Sequence, residues 1–427
     1  MDGGTNPDDP AGIDRRMLPL GVRLTVQSVG TPALRTLVRD LWSDGRGWIL
    51  LGVAGGWFLS LGVRLVFPAL LPYIREAFSL GLTTAGLLIT VLWVAYALGQ
   101  FPGGIIGDRL GEGNALVVST LVSGTTIAVV AVANTALVLF LATALFGFST
   151  ALFGPARFTI LSTIYDERDG TAIGLTLAVG EAGNAILPVV AGVLAAVASW
   201  RLGFGVTVPL FFLMAIVLYR VVPGKLSEGS AVDSLSVGTL KYVASGIAER
   251  SILIVTGVHV FLFFVYQGFT GFYPTYLVEM KGLSPGLAAG LFGLFFASGV
   301  AVQPIAGASG DRFGTRPTLY VVIAITTLAL GTLPFVEGFV GLVVVTVVAS
   351  ALLGVTPLTQ TFLVNALPED MKGSGLGLLR TGHIALGATG PLVVGAVADL
   401  NYFDGAFLGL AVLSAAGIVL TALVPDD

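Results

Sequence analysis

One phrase occurs twice in this chain, each time at the end of a long apolar run. Gln100-Phe-Pro-Gly-Gly-Ile-Ile-Gly-Asp-Arg-Leu-Gly111 returns as Gln303-Pro-Ile-Ala-Gly-Ala-Ser-Gly-Asp-Arg-Phe-Gly314, an offset of 203 residues. The same offset carries Gly170, Gly174, Leu175, Pro188 and Gly192 onto Gly373, Gly377, Leu378, Pro391 and Gly395. Two distant blocks sharing one offset mark a duplicated half, with the second copy in the same order as the first. A chain built this way folds as a parallel repeat.

Composition decides the solvent of that repeat. Hydrophobic residues make up 55% of the chain and charged residues 11%, against about 25% charged in a soluble domain. Stretches 113–156, 317–336 and 338–368 carry no formal charge, and a membrane-spanning helix needs ~20 apolar residues. Apolar runs between charged or Gly/Pro punctuation give twelve candidate spans. They lie near 47–72, 83–106, 114–134, 136–158, 170–197 and 202–222, then 251–277, 286–308, 317–336, 338–363, 374–398 and 404–424. The expected fold is all-α and integral to the membrane. Residues 1–46 form an N-terminal tail, 47–222 and 251–427 two six-helix bundles related by a pseudo-twofold axis, and 223–250 a polar linker.

Lys and Arg in the loops set the orientation. With the tail inside, the inner side holds six tail arginines together with Arg109, Arg168, Arg220, Lys225, Lys241, Arg250, Arg312, Arg316 and Lys372. The outer side holds only Arg75, Arg201 and Lys281. Both termini are therefore expected in the cytoplasm and the protein in the plasma membrane. Within the tail, Thr31-Pro32 reads as a cap and first helical residue. Leu34, Leu37, Val38, Leu41 and Trp42 fall on one face opposite Arg35 and Arg39, which suits a helix lying on the inner leaflet or packed on the bundle.

The repeated phrase resembles the loop motif of the major facilitator superfamily, which joins the second helix to the third and, more weakly, the eighth to the ninth. Both copies stand at those places here, and the resemblance covers residues 47–424. It implies a gating role for Gly104, Asp108, Arg109, Gly111, Gly307, Asp311, Arg312, Gly314 and Arg316, locking the inner end when the carrier faces outward. Gly103, Gly104 and Gly107 would let helices approach closely there, Gly111 would permit a tight turn, and Asp108 would meet a neighbouring helix start. The chain departs from the family at Gly111-Glu112-Gly113, where basic residues are usual, and it has no Arg between Leu139 and Gly154. Arg157 is the available partner for Asp108, and Gln360 stands at its position in the second half.

Ionisable residues inside a span are costly and mark function. Arg64 lies ~24 Å along the first span, while Glu181 and His383 lie ~15–17 Å deep, near the midplane, with Arg380 about one turn nearer the inside. The family places substrate near the midplane between the halves. Arg64, ahead of Phe67-Pro68 and Pro72, resembles the first-helix Arg of anion-handling branches, and a guanidinium offers a fixed fork to carboxylate, phosphate or nitrate. The alternative is a structural ion pair with Glu181. Tyr266, Gln267, Arg380 and His383 complete the expected substrate contacts, whereas His259, ~12 Å into its span, reads as a packing residue. Phe272-Tyr273-Pro274-Thr275-Tyr276-Leu277 looks like a helix ending common in cyanate-, nitrate- and organic-anion-type members. The fifth span carries a degenerate Gly/Pro motif (Gly174, Gly183, Leu187, Pro188, Ala191, Gly192) associated with antiporters.

Glu181 is the one acidic side chain deep within a span and the candidate for ion coupling; the alternative is a side chain holding polar groups near Asn184. With two His, no Cys and no phosphate-binding Gly/Lys loop, neither enzyme chemistry nor ATP-driven pumping is expected. The leading reading is a secondary carrier of a small organic or inorganic anion. Proton-driven efflux of lipophilic compounds and a transport-inactive receptor on the same scaffold stay open. Expected partners are a small-molecule substrate, protons and the lipid bilayer, with no cofactor, metal or nucleic acid and a monomer as the working unit.

Overall fold

The computed structural model describes residues 41–42, 45–166, 168–225, 250–366 and 372–424. All but the last two residues of the expected surface helix at 31–42 and nearly all of the linker 223–250 lie outside these residues. Among the described residues there are twelve apolar helices long enough to cross a membrane and no strand. The first half runs α1 (Arg46–Phe78), α2 (Leu82–Leu110), α3 (Glu112–Val132), α4 (Ala136–Ile164), α5 (Asp169–Val197) and α6 (Trp200–Gly205 continuing as Thr207–Val221). The second runs α7 (Arg250–Glu279), α8 (Pro285–Phe313), α9 (Thr315–Thr332), α10 (Phe339–Ala349 continuing to Ala366), α11 (Lys372–Gly387 and Gly390–Asp399) and α12 (Phe403–Thr421).

Prolines shape the helices nearest the centre. In α10, Phe339–Ala349 passes through a 3-10 turn, Ser350–Gly354, into Val355–Ala366. Pro357 has no N–H for the Leu353 carbonyl, so the ladder is broken where that turn sits. In α11, Lys372–Gly387 and Gly390–Asp399 are separate segments, and Pro391 withholds the donor that the Gly387 carbonyl would need.

The duplication is visible in the backbone. The expected loop motif proves to be helical almost throughout, running to Leu110 in α2 and Phe313 in α8. Each copy then ends in one glycine of matching shape: Gly111 at φ 87°, ψ 145° and Gly314 at φ 91°, ψ 153°. That left-handed φ is cheap only without a Cβ, and it lets the next helix begin at the adjoining residue. The departure at Glu112-Gly113 also has a local cause. The Pro223 carbonyl occupies the place of a Cβ on Gly113, and Asn114 N donates to the Gly224 carbonyl at 3.2 Å. The end of α6 is thereby seated on the start of α3.

The two bundles meet chiefly through α2 with α11 and α5 with α8, helices exchanged by the 203-residue offset. The contact is closest at the end opposite the repeated motif. There the Asp399 carboxylate of α11 accepts from Leu82 N and Thr83 N, both at 2.7 Å, and from Thr83 Oγ1 at 2.5 Å. A side chain from one half thus caps a helix of the other. Arg75 and Glu279 form an ion pair between α1 and α7 beside it. Gly192 and Gly395, offset equivalents, lie against Ala289 and the Leu82 carbonyl of the opposite bundle. At the motif end, by contrast, Gly104, Gly107, Gly174 and Gly307 have open space beside them. Of the three glycines expected to pack closely, only Gly103 does so, against Leu152 of α4. Among the described residues nothing stands at the Cβ place of Gly104 or Gly107, although Gly107 is buried, and the bundles make no close contact of this kind here.

Candidate functional site

Between the bundles lies a cavity of about 180 Å3 whose walls come from both halves. Its position follows from how α1 and α5 pack. Gly62 of α1 faces the Gly183 backbone of α5, and Gly180 stands against the Trp57 indole, leaving no space for a side chain at either contact. This close approach brings Glu181 and Asn184 to the same cavity as Trp57 and Arg64.

Arg64 is 1% exposed. Its Nε donates to the Ser60 carbonyl one turn back, at 2.9 Å. The guanidinium lies 3.9 Å from the centre of the Tyr96 ring, 5.2 Å from Trp93 and 5.6 Å from Trp57, an aromatic box that stabilises a buried cation through ring quadrupoles. Nη2 has no hydrogen-bond partner. Among the described residues no carboxylate lies within ion-pair distance of it. Glu181 instead accepts from Asn184 Nδ2 at 3.1 Å. The alternative of an Arg64–Glu181 ion pair is thus not what the structure forms, while the Asn184 contact is.

Arg380 of α11 lines the same cavity, and Arg64, Arg157 and Arg380 stand close enough to repel one another. Arg157 is also 1% exposed, with its guanidinium 3.4 Å from the Trp57 ring and 4.3 Å from that of Phe158, and Nη1 unpartnered. It stands about two turns before the end of α4, buried in the bundle. The side chain of Asp108 lies outside the described ones, so their pairing does too. Arg109, Asp311 and Arg312 are exposed at the motif end, Arg312 lying over the Phe313 ring at 5.0 Å and Arg316 over Tyr320 at 6.0 Å.

The second half supplies Tyr266, His259, Phe263, His383, Gln303 and Gln360 to the walls. Gln267 is buried, but the cavity walls do not include it. The aromatics that follow it are packing groups: Tyr273 bonds Thr346, and Tyr276 donates to Asp404 at 2.6 Å. His259, read from the sequence as a packing residue, lies on the cavity wall with its ring centre 4.3 Å from that of His383. Trp57, Trp93 and Tyr96 were not singled out either. The available signal was spacing, since Trp57 lies two helical turns before Arg64, and Trp93 and Tyr96 share a face of α2.

The arrangement is therefore a small, aromatic-walled chamber at the junction of two bundles, with an excess of guanidinium groups and one carboxylate. Its solved neighbours share the fold. A bacterial homologue of the human lysosomal transporter Spinster, in an inward-facing and unoccupied conformation, superposes with TM-score 0.71 at 16% identity, covering 90% of this chain and 96% of that one. A variant of the nucleoside transporter NupG does so with TM-score 0.75 at 15% identity, over 88% and 100%. Among relatives by sequence, the hexuronate transporter of Bacillus subtilis is 25% identical over 82% of this chain and 88% of its own. A probable sulfoacetate transporter, SauU, of Cupriavidus necator is 24% identical over 87% and 94%. The multidrug efflux pump PmrA of Streptococcus pneumoniae is 28% identical over 30% and 33%. Matched over residues 52–381 and again over 255–427 by the model of the Major Facilitator Superfamily, the chain belongs to that superfamily of membrane transporters.

Proposed function

We propose that this protein carries a small organic anion, a carboxylate or a sulfonate, across the plasma membrane by alternating access, driven by protons. The observation that carries this reading is Arg64. A guanidinium taken out of water is costly unless something compensates it, and here the compensation is one backbone carbonyl, the Tyr96 hydroxyl and three aromatic faces, with Nη2 left over. An anionic group entering the cavity supplies what is missing, and the planar fork matches a carboxylate or sulfonate in two bonds. The hexuronate and sulfoacetate named for the two relatives that span most of the chain are both anions of this kind.

The excess of Lys and Arg in the loops at the motif end supports a cytoplasmic position for it. On that orientation the motif end opens inward, and Asp399 with the Arg75–Glu279 pair closes the outside. The repeated motif then belongs to the gate that shuts when the bundles rock the other way. Efflux of lipophilic compounds is a second reading, favoured by the aromatic walls and by the partial similarity to PmrA.

The test is equilibrium binding and uptake in proteoliposomes with glucuronate and with sulfoacetate. Arg64→Lys keeps the charge and loses the fork, and binding of the preferred anion is expected to weaken at least about tenfold, within the ~1.5–3 kcal/mol of a charged hydrogen bond. A best ligand that is neutral or cationic, bound normally by Arg64→Ala, would remove the reading. Binding without uptake would identify a receptor.

A further inference from the structure

His259 of α7 and His383 of α11 are the two histidines of the chain, and the fold brings them together on the cavity wall contributed by the second half. Their rings meet edge to face, 4.3 Å between centres and 82° between planes. Phe263 stacks on His259 and meets His383 edge-on, so the pair is held from one side. Exposure is 3% for His259 and 8% for His383.

Each Nδ1 is committed to the protein. Thr359 Oγ1 lies 2.9 Å from the Val355 carbonyl and 2.6 Å from His259 Nδ1; with its single hydrogen kept on the helical carbonyl, it accepts from Nδ1. His383 Nδ1 lies 3.0 Å from the Leu379 carbonyl, which has no hydrogen to offer. The carbonyl fixes His383 as the Nδ1–H tautomer, and the Thr359 assignment makes His259 the same, so that both neutral rings leave Nε2 as a bare acceptor. Among the described residues no donor reaches either Nε2. Two acceptor lone pairs thus stand in a chamber whose opposite half presents a guanidinium.

An occupant that satisfies both walls must be anionic at one end and carry donors at the other. An ammonium group or a metal ion is a poor match for the lone pairs, because Arg64 and Arg380 are permanent cations in the same small cavity. An uncharged hydroxyl fits. We propose that His259 and His383 form an acceptor pair that takes hydroxyl hydrogens from the substrate, so that the carrier selects hydroxylated carboxylates over acids that lack hydroxyl groups; this rests on the reading of Arg64 as the anion contact. Selection arises because an acid without hydroxyls strips water from two acceptors and returns nothing to them, and sites built around a substrate hydroxyl reject analogues lacking it far more strongly than apolar pockets reject a missing methylene.

The experiment compares glucuronate with tetrahydropyran-2-carboxylate, which keeps the ring and the carboxylate and has no hydroxyls. Dissociation constants are measured on the purified full-length protein for the wild type and for His383→Ala, His383→Gln, His259→Ala and Arg64→Ala. The wild type is expected to prefer glucuronate at least tenfold. That ratio should fall toward one in both alanine variants and recover in part in His383→Gln, which restores an acceptor. Equal binding of the two acids by the wild type would overturn the proposal, as would a ratio unchanged by the histidine substitutions. A pair that alters only the pH dependence of uptake, equally for both acids, holds a proton instead and also overturns it. Loss of both acids in Arg64→Ala would meanwhile keep the anion reading intact whatever the ratio does, whereas binding of both acids undiminished in Arg64→Ala sinks that reading itself.

Discussion

At the scale of single residues, the site consists of charges whose partners are mostly rings. Arg64 and Arg157 are both buried on aromatic faces, and Trp57 touches both. Glu181 is on the walls of the same chamber, held by Asn184 rather than by an arginine. A carboxyl group in that setting is free to compete with an incoming anion for guanidinium, and its protonation would release that competition. Glu181→Gln is therefore expected to abolish proton-driven accumulation in vesicles while leaving anion exchange. Uptake that keeps its pH dependence in this variant would refute the coupling role. The sequence disclosed Arg64, Glu181, Arg380 and His383 because a charge inside an apolar span has few bland explanations. It hid His259 and the tryptophans, since an aromatic or a neutral imidazole in a span is common as packing, and only a partner from another helix distinguishes the two.

At the scale of elements, the informative contacts are helix ends. Asp399, at the end of α11, caps α2 across the bundle interface, and the Arg75–Glu279 pair ties α1 to α7 nearby. Losing a cap of this kind costs about 1 kcal/mol, and the cost falls only on the conformation in which that end is closed. Asp399→Ala should accordingly shift the population toward the opposite opening. The chain has no cysteine of its own, so spin labels at Glu76→Cys and Met280→Cys report the distance between α1 and α7 directly. The expected outcome is a broader distribution with longer distances; an unchanged one would mean that the cap does not bias the equilibrium. The turn at Gly111 was legible in advance because a glycine between two apolar runs accepts a left-handed φ without strain, and Gly314 repeats it at the 203-residue offset. That the motif before them is helical was not legible, since glycines usually signal a break and only tertiary packing keeps them in a helix.

At the scale of the whole molecule, the close contacts between the bundles among the described residues lie at the end opposite the repeated motif. Gly104 has open space beside it in this arrangement. Gly104→Ala is therefore expected to leave thermal stability unchanged or raise it slightly, by up to about 1 kcal/mol, through reduced chain entropy. If the alternate conformation brings helices together at this place, the same substitution slows turnover several-fold in a transport assay. Turnover equal to the wild type would show that the gate closes elsewhere. The sequence by itself determined the membrane, the number of helices and their two-half arrangement, because hydropathy and repeat offset are properties of the chain that hold in any conformation. It also showed which rare charges fall within the apolar spans. Only the tertiary structure decided at which end the bundles touch, that Arg64 and Arg157 each keep a guanidinium nitrogen unpartnered, and that two histidines 124 residues apart form one pair. Those facts depend on distances between helices, and no periodicity along a helix records them.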